Sequence, residues 1–124
     1  MIVVDSSGWI EYLLDEANAG EFAPAIESRE LVIPTICVYE VQRFFLSRTS
    51  DPELFKKLRE AMSGGVVVPL QASLAMEAAN LSKAHRFPMA DSIILATARH
   101  HGAAVWTQDT HFAELPDVKF FPKH

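Results

Sequence analysis

Four acidic side chains stand where they could do chemistry: Asp5, Glu40, Asp91 and Asp109. Asp5 follows directly on Ile2-Val3-Val4, a β-branched run that reads as a short buried strand. Asp109 comes two residues after Thr107, at the end of Ala103–Thr107, which reads as another strand. In parallel α/β sheets ligands sit outside the carboxyl ends of strands, so both acids point toward one rim. Asp91 lies in the first turn of the helix feeding that later strand, and such a helix starts near the same rim. It shares a helix face with Ile94, Leu95 and Ala98, while Glu40 sits between Cys37 and Phe44 on a second apolar stripe. A carboxylate on a core-facing stripe is costly unless a cation or a hydrogen-bond donor meets it, and neighbouring carboxylates raise one another's pKa. A divalent cation with oxygen ligands removes both penalties. Mg2+ and Mn2+ suit carboxylate and water ligands and leave positions open for phosphate oxygens.

Each acid also has an ordinary structural role open to it. Asp91 complements the N-terminal dipole of its helix. Asp109 can cap a short helix at Thr110, and Asp5 can cap the helix after Ser7. Glu40 has the weakest such excuse, because the middle of an apolar stripe is a poor place for an acid. The combination carries the reading, not any single member.

Rival chemistries lack their residues. His100 and His101 are adjacent rather than a chelating i, i+4 pair, and no zinc-type Cys/His spacing occurs. His111 is close enough in sequence to Asp109 to touch a substrate. The single cysteine, Cys37, falls on the buried stripe and reads as a core residue. No dinucleotide, P-loop or nucleophile-elbow motif is present. Phosphotransfer through an aspartyl phosphate at Asp5 would want a second Asp two residues on, where Ser7 stands. A receiver-type domain would want paired acids near the first strand and a Lys after a late strand, and that set cannot be placed in the sequence.

The elements that must position the acids follow from periodicity and punctuation. Helices are predicted over 8–15, with a Ser hydroxyl as cap, and over 21–28, separated by the breaker Asn18-Ala19-Gly20. Leu31–Pro34 reads as the second strand, and Thr35 offers an N-cap for a helix over 36–47. Thr49-Ser50-Asp51-Pro52 starts a helix that stops at Ser63-Gly64-Gly65. A third strand over 66–68 and helices over 72–85 and 88–101 follow, with Gly102 closing the last. After the strand over 103–107 come a short helical turn over 110–115 and a last strand over 118–121. Short apolar strands alternating with helices indicate one α/β domain, residues 1–124, with a mainly parallel sheet and helices on both faces. Strand order is not visible in the periodicity.

At 124 residues and nearly half hydrophobic, the chain can bury a real core and is not disordered. Its apolar runs are too short to cross a bilayer, no leader-like segment precedes the first strand, and one cysteine suits a reducing compartment. A cytoplasmic protein without membrane association is expected. The net charge of -5 argues against binding polyphosphates by charge alone, so phosphate contact must depend on cations or a local patch. Arg43, Arg48, Lys56, Lys57 and Arg59 form the densest basic stretch, either solvated helix surface or a contact for RNA or a partner.

Four segments together resemble the PIN-domain family, and in particular the VapC-type toxin ribonucleases of prokaryotic toxin–antitoxin pairs. They are Val3-Val4-Asp5-Ser6-Ser7-Gly8-Trp9-Ile10, Tyr39-Glu40-Val41, Met89–Ala98 and Val105–Phe112, in family order across nearly the whole chain. The resemblance implies a three-layer α/β/α sandwich with a five-stranded parallel sheet. It also implies Mg2+- or Mn2+-dependent cleavage of RNA, leaving 5′-phosphate and 3′-hydroxyl ends. Asp5, Glu40 and Asp91 match the family's three acids, and Asp109 a fourth position that is acidic in many members. Ser6 and Thr107 match hydroxyl positions beside the site that hold a water or a ligand. A homodimer and a cognate VapB-type antitoxin that blocks the site are implied as well. The alternatives are a non-catalytic module of the same fold and a nuclease directed at DNA.

Overall fold

The computed structural model describes residues 1–124. Five strands form one sheet: β1 (Ile2–Val4), β2 (Leu31–Pro34), β3 (Val66–Val68), β4 (Ala104–Thr107) and β5 (Val118–Phe120). Their order is β3-β2-β1-β4-β5, and every neighbouring pair is parallel. The chain therefore lays β1, β2 and β3 outward on one side, then returns to place β4 on the free side of β1. That reversal puts the topological switch point at the carboxyl ends of β1 and β4, the place where open parallel sheets bind their ligands. The register pairs Val4 with Trp106, so Asp5 and Thr107 come out side by side, and the Asp5 amide donates to the Trp106 carbonyl at 3.0 Å.

Six helices fill the connections: α1 (Ser6–Leu13), α2 (Ala19–Ile26), α3 (Thr35–Leu46), α4 (Pro52–Met62), α5 (Ala72–His85) and α6 (Met89–His100). A 3₁₀ turn covers Thr110–Phe112. Right-handed crossovers, the rule for parallel neighbours, put α1 to α4 on one face and the returning α5 and α6 on the other. This is the expected α/β sandwich around a five-stranded parallel sheet. The main core cluster is centred on β1, β2 and β4, with Trp9, Phe22, Phe45, Phe112, Ile33, Ile94 and Leu95 all fully buried, and a smaller second cluster of Leu74, Ala78, Ile93 and Ala96 joins α5 to α6.

Local chemistry sets the element ends. α4 starts where predicted, because the Asp51 side chain accepts from the Glu53 amide and Pro52 takes the first helical position. Gly102, at φ +62, closes α6. α1 begins at Ser6, not Gly8, and of the two caps the sequence offered it takes the Asp5 carboxylate instead of a Ser hydroxyl. α2 begins at Ala19, inside the predicted breaker, because Asn18 spends its side chain on tertiary partners instead of stopping a helix. Pro34, not Thr35, holds the cap position of α3. β3 also differs from a fully covered strand, since Val66 is 59% and Val67 48% exposed at the sheet edge.

Candidate active site and metal centre

Asp5 leaves β1 and caps α1 in the same step. Its Oδ1 accepts from the Ser6 amide at 2.8 Å, and its Oδ2 accepts from Ser7 Oγ at 2.8 Å and Thr107 Oγ1 at 2.9 Å. It is only 3% exposed, and burial pushes its carboxyl up from the ordinary 3.8 to about 6. The three donors oppose that rise only in part, and the charges of Asp91 and Asp109 add to it. The ionised form of Asp5 is thus held in a place that disfavours it.

The other acids reach Asp5 through hydroxyls. Ser6 donates its Oγ to Glu40 Oε1 at 2.7 Å, joining α3 to the start of α1. Thr107, at the end of β4, donates to Asp5 and accepts from the Asp109 amide at 2.9 Å. Asp109 caps the 3₁₀ turn, its Oδ1 accepting from the His111 amide at 2.9 Å. The His111 Nδ1 lies 2.7 Å from Asp91 Oδ2 and 3.2 Å from Asp109 Oδ1. Asp91, in the first turn of α6, is 13% exposed at its side chain. Burial pushes its pKa up, Asp109 and Glu40 push the same way, and His111 works against them. The Asp91 hydrogen bond in turn raises the pKa of His111, aided by the charge of Asp109.

One continuous network therefore runs Glu40–Ser6–Asp5–Thr107–Asp109–His111–Asp91 along the rim at the switch point. It brings together every candidate site residue expected from sequence. Ligand atoms of Asp91, Asp109 and His111 lie within 4.8 Å of one another, close enough to share one cation, while Asp5 and Glu40 join them through Thr107 and Ser6. The donor set is rich in carboxylate oxygen, with one imidazole, which fits Mg2+ or Mn2+. Two aspartates whose ionisation is resisted, with a histidine drawn between Asp91 and Asp109, mark a spot that favours positive charge.

The ordinary roles and the site roles turn out to fall on the same atoms. Asp5 and Asp109 are both caps and members of the network, and Asp91 is both a first-turn acid and the partner of His111. Some participants escape a sequence reading. Ser7 is a third donor to Asp5, and its position two residues on was the available signal. Gln108, buried beside Asp109, donates to Glu11 at 3.2 Å and accepts from Asn18 at 2.9 Å, fixing the loop after β4. Within the basic stretch, Arg43 stands one turn after Glu40 on α3. Lys57 Nζ lies 3.4 Å from the Leu13 carbonyl, at the far end of α1, and Arg48 lies over the Phe44 ring.

A family model, the PIN domain, matches residues 2–118. No curated protein matches the chain in sequence. Among solved structures, a toxin–antitoxin complex from Klebsiella pneumoniae superposes with a TM-score of 0.82 at 21% identity, covering 99% of this chain and 100% of the other. VapBC2 from Rickettsia felis, bound to a DNA fragment from its promoter, gives 0.77 at 14% identity, with 98% of each chain covered. VapC20 from Mycobacterium tuberculosis, a sarcin–ricin loop cleaving toxin, gives 0.72 at 16% identity over 94% of this chain and 95% of that one. At such identities the superpositions speak for the fold alone. With the family model spanning the chain from β1 into β5, and the five parallel strands arranged as the sequence resemblance implied, this chain belongs to the PIN domain family.

Proposed function

We propose that the protein is a metal-dependent endoribonuclease acting as the toxin of a type II toxin–antitoxin pair. The observation that carries this reading is the rim network itself: four acids from four separate elements meet at the switch point, and Asp5 and Asp91 are held against their preference to be neutral. Asp5, Glu40, Asp91 and Asp109 would hold Mg2+ or Mn2+. When bound, the cation supplies charge neutralisation at the scissile phosphate and lowers the pKa of a water.

The chain's own groups do the positioning. Ser6, Ser7 and Thr107 fix both oxygens of Asp5, so that this carboxylate meets its ligand in one orientation. Asp109, held through its amide by Thr107, orients the attacking water for in-line displacement of the 3′ oxygen. Ser6 fixes Glu40 in the same way. The proposal extends to a cytoplasmic homodimer and to a VapB-type antitoxin that covers the rim. No helix is long and apolar enough to cross a membrane.

The test is cleavage of a mixed structured RNA pool by folded, antitoxin-free protein with Mg2+ or Mn2+, with EDTA, and with Asp5→Asn. The expected result is metal-dependent cutting that vanishes in the variant, with RNA outcompeting single- and double-stranded DNA. Cutting by Asp5→Asn at the wild-type rate would sink the assignment. Preference for DNA would redirect it to a DNA nuclease, and the absence of any cutting would favour a non-catalytic binding module.

A further inference from the structure

The turn between α5 and α6 carries a row of rings that ends at the acids. His85 stacks on Phe87, with ring centroids 5.1 Å apart and planes 27° apart. Phe87 faces His111 at 6.2 Å and 41°, and His111 is the residue bonded to Asp91. Phe87 is anchored from below, edge-on against the fully buried Phe112 at 5.5 Å. His85 and His111 are exposed, so the row lies open to solvent beside the rim.

The turn is built to hold still. The Ser82 carbonyl accepts from the amides of Arg86 and Phe87, and Ser82 Oγ donates to the Phe87 carbonyl at 2.8 Å. Arg86 sits in the left-handed region at φ 58, where glycine would be free of strain. A non-glycine residue there keeps a cationic side chain on the surface at some conformational cost. Lys83 and Arg86 are both exposed, and no Asp or Glu occurs from Ala78 to Ala90. On a chain of net charge -5 this is a local basic surface, and the ring row joins it to the acids through His111.

We infer that His85, Phe87 and His111 form a stacking platform for an unpaired base of the nucleotide next to the scissile phosphate, with Lys83 and Arg86 meeting the phosphate beyond it. The inference rests on the ribonuclease reading and deepens it. Bases of single-stranded RNA stack on aromatic and histidine rings, and stacking tolerates any sequence because every base has a π-face. A rigid ring row next to a phosphate-binding centre fixes the strand's register at the cut without reading its sequence. The platform thus selects for a splayed, single-stranded nucleotide at the cleavage point and against a paired one.

The experiment uses full-length protein and a single-stranded RNA oligonucleotide. Asp5→Asn protein in EDTA is first titrated with RNAs carrying 2-aminopurine at successive positions, whose fluorescence falls when it stacks on a ring. Wild type, His85→Ala and Phe87→Leu are then compared with Mg2+ on intact RNA and on RNA lacking the base at the quenched position. The Phe87→Leu side chain keeps an apolar contact with Phe112, and His85 is exposed, so both variants should fold; circular dichroism checks this. Expected are quenching at a single position, its loss in both variants, and a roughly tenfold fall in wild-type kcat/KM on removing that base. Each variant should cut intact and base-less RNA equally, at the reduced rate. An equal penalty for base removal in wild type and variants would overturn the platform while leaving the ribonuclease standing. No RNA binding or cutting by wild type would overturn both.

Discussion

Asp5 is the residue whose protonation links stability to the site. Its folded pKa of about 6 lies above the ordinary 3.8, so the folded state keeps a proton that the unfolded chain releases first. The stabilisation from this group is complete below about pH 4 and is lost as pH rises through about 6, a change on the order of 2–3 kcal/mol. Urea unfolding in EDTA between pH 4.5 and 7.5 should therefore show stability falling with pH, and Mg2+ should restore it at pH 7.5 but hardly at 4.5. A profile that is flat with and without Mg2+ would contradict the placement of Asp5. Thr107→Val keeps the shape of the side chain but removes a donor that holds this pKa down. The acid limb of RNA cleavage should then move to higher pH, while Thr107→Ser should leave it in place. The acids themselves were legible in sequence, since a carboxylate after a strand or on an apolar stripe is conspicuous. Their supports were less so: Asn18 and Gln108 bond across 90 residues of chain, and no local pattern announces such a pair.

At the scale of elements, glycine and proline punctuation marked most boundaries, and errors gathered where a side chain had two uses. α1 started early because its cap was the candidate acid, and α2 started early because Asn18 was occupied elsewhere. Gly8 illustrates a constraint that periodicity does not carry. A Cβ there would come within 2.7 Å of the Phe22 ring and 2.8 Å of Val4 Cγ1, so α1 can approach α2 and β1 only through a glycine. Gly8→Ala should lower stability by about 1–3 kcal/mol through overpacking. Because Ser6 and Ser7 precede it on the same helix, cation affinity should fall too. Thermal melts and Mn2+ titration would check both, and a variant as stable as wild type would show that Phe22 yields freely.

For the whole molecule, strand order was the part hidden from the sequence. Parallel neighbours are set by pairings between distant segments, and Ile2–Val4 carries no mark saying that Ala104–Thr107 lies beside it. The fold class, by contrast, followed from alternation alone. Net charge also acts at this scale. With -5 overall and few cations near the rim, only a small number of phosphates can be met by Lys or Arg. Two such contacts to single-stranded RNA would give an affinity loss of less than about tenfold between 50 and 200 mM salt, far below that of a basic RNA-binding protein. Filter binding of Asp5→Asn over that range would measure it, and a loss of a hundredfold or more would point to a larger cationic footprint.

That Asp5 and Asp109 serve as caps has a consequence for how activity can be lost. A cap is satisfied by asparagine nearly as well as by aspartate, and one nucleotide change converts either Asp codon to an Asn codon. The acid can vanish in a single step while helix, turn and sheet stay as they were. For a chain whose proposed role is to poison its host, inactivation would then leave behind a folded, persistent protein rather than debris. Such a silent copy would keep the surface by which a neutralising partner knows it, and would compete with the active form for that partner.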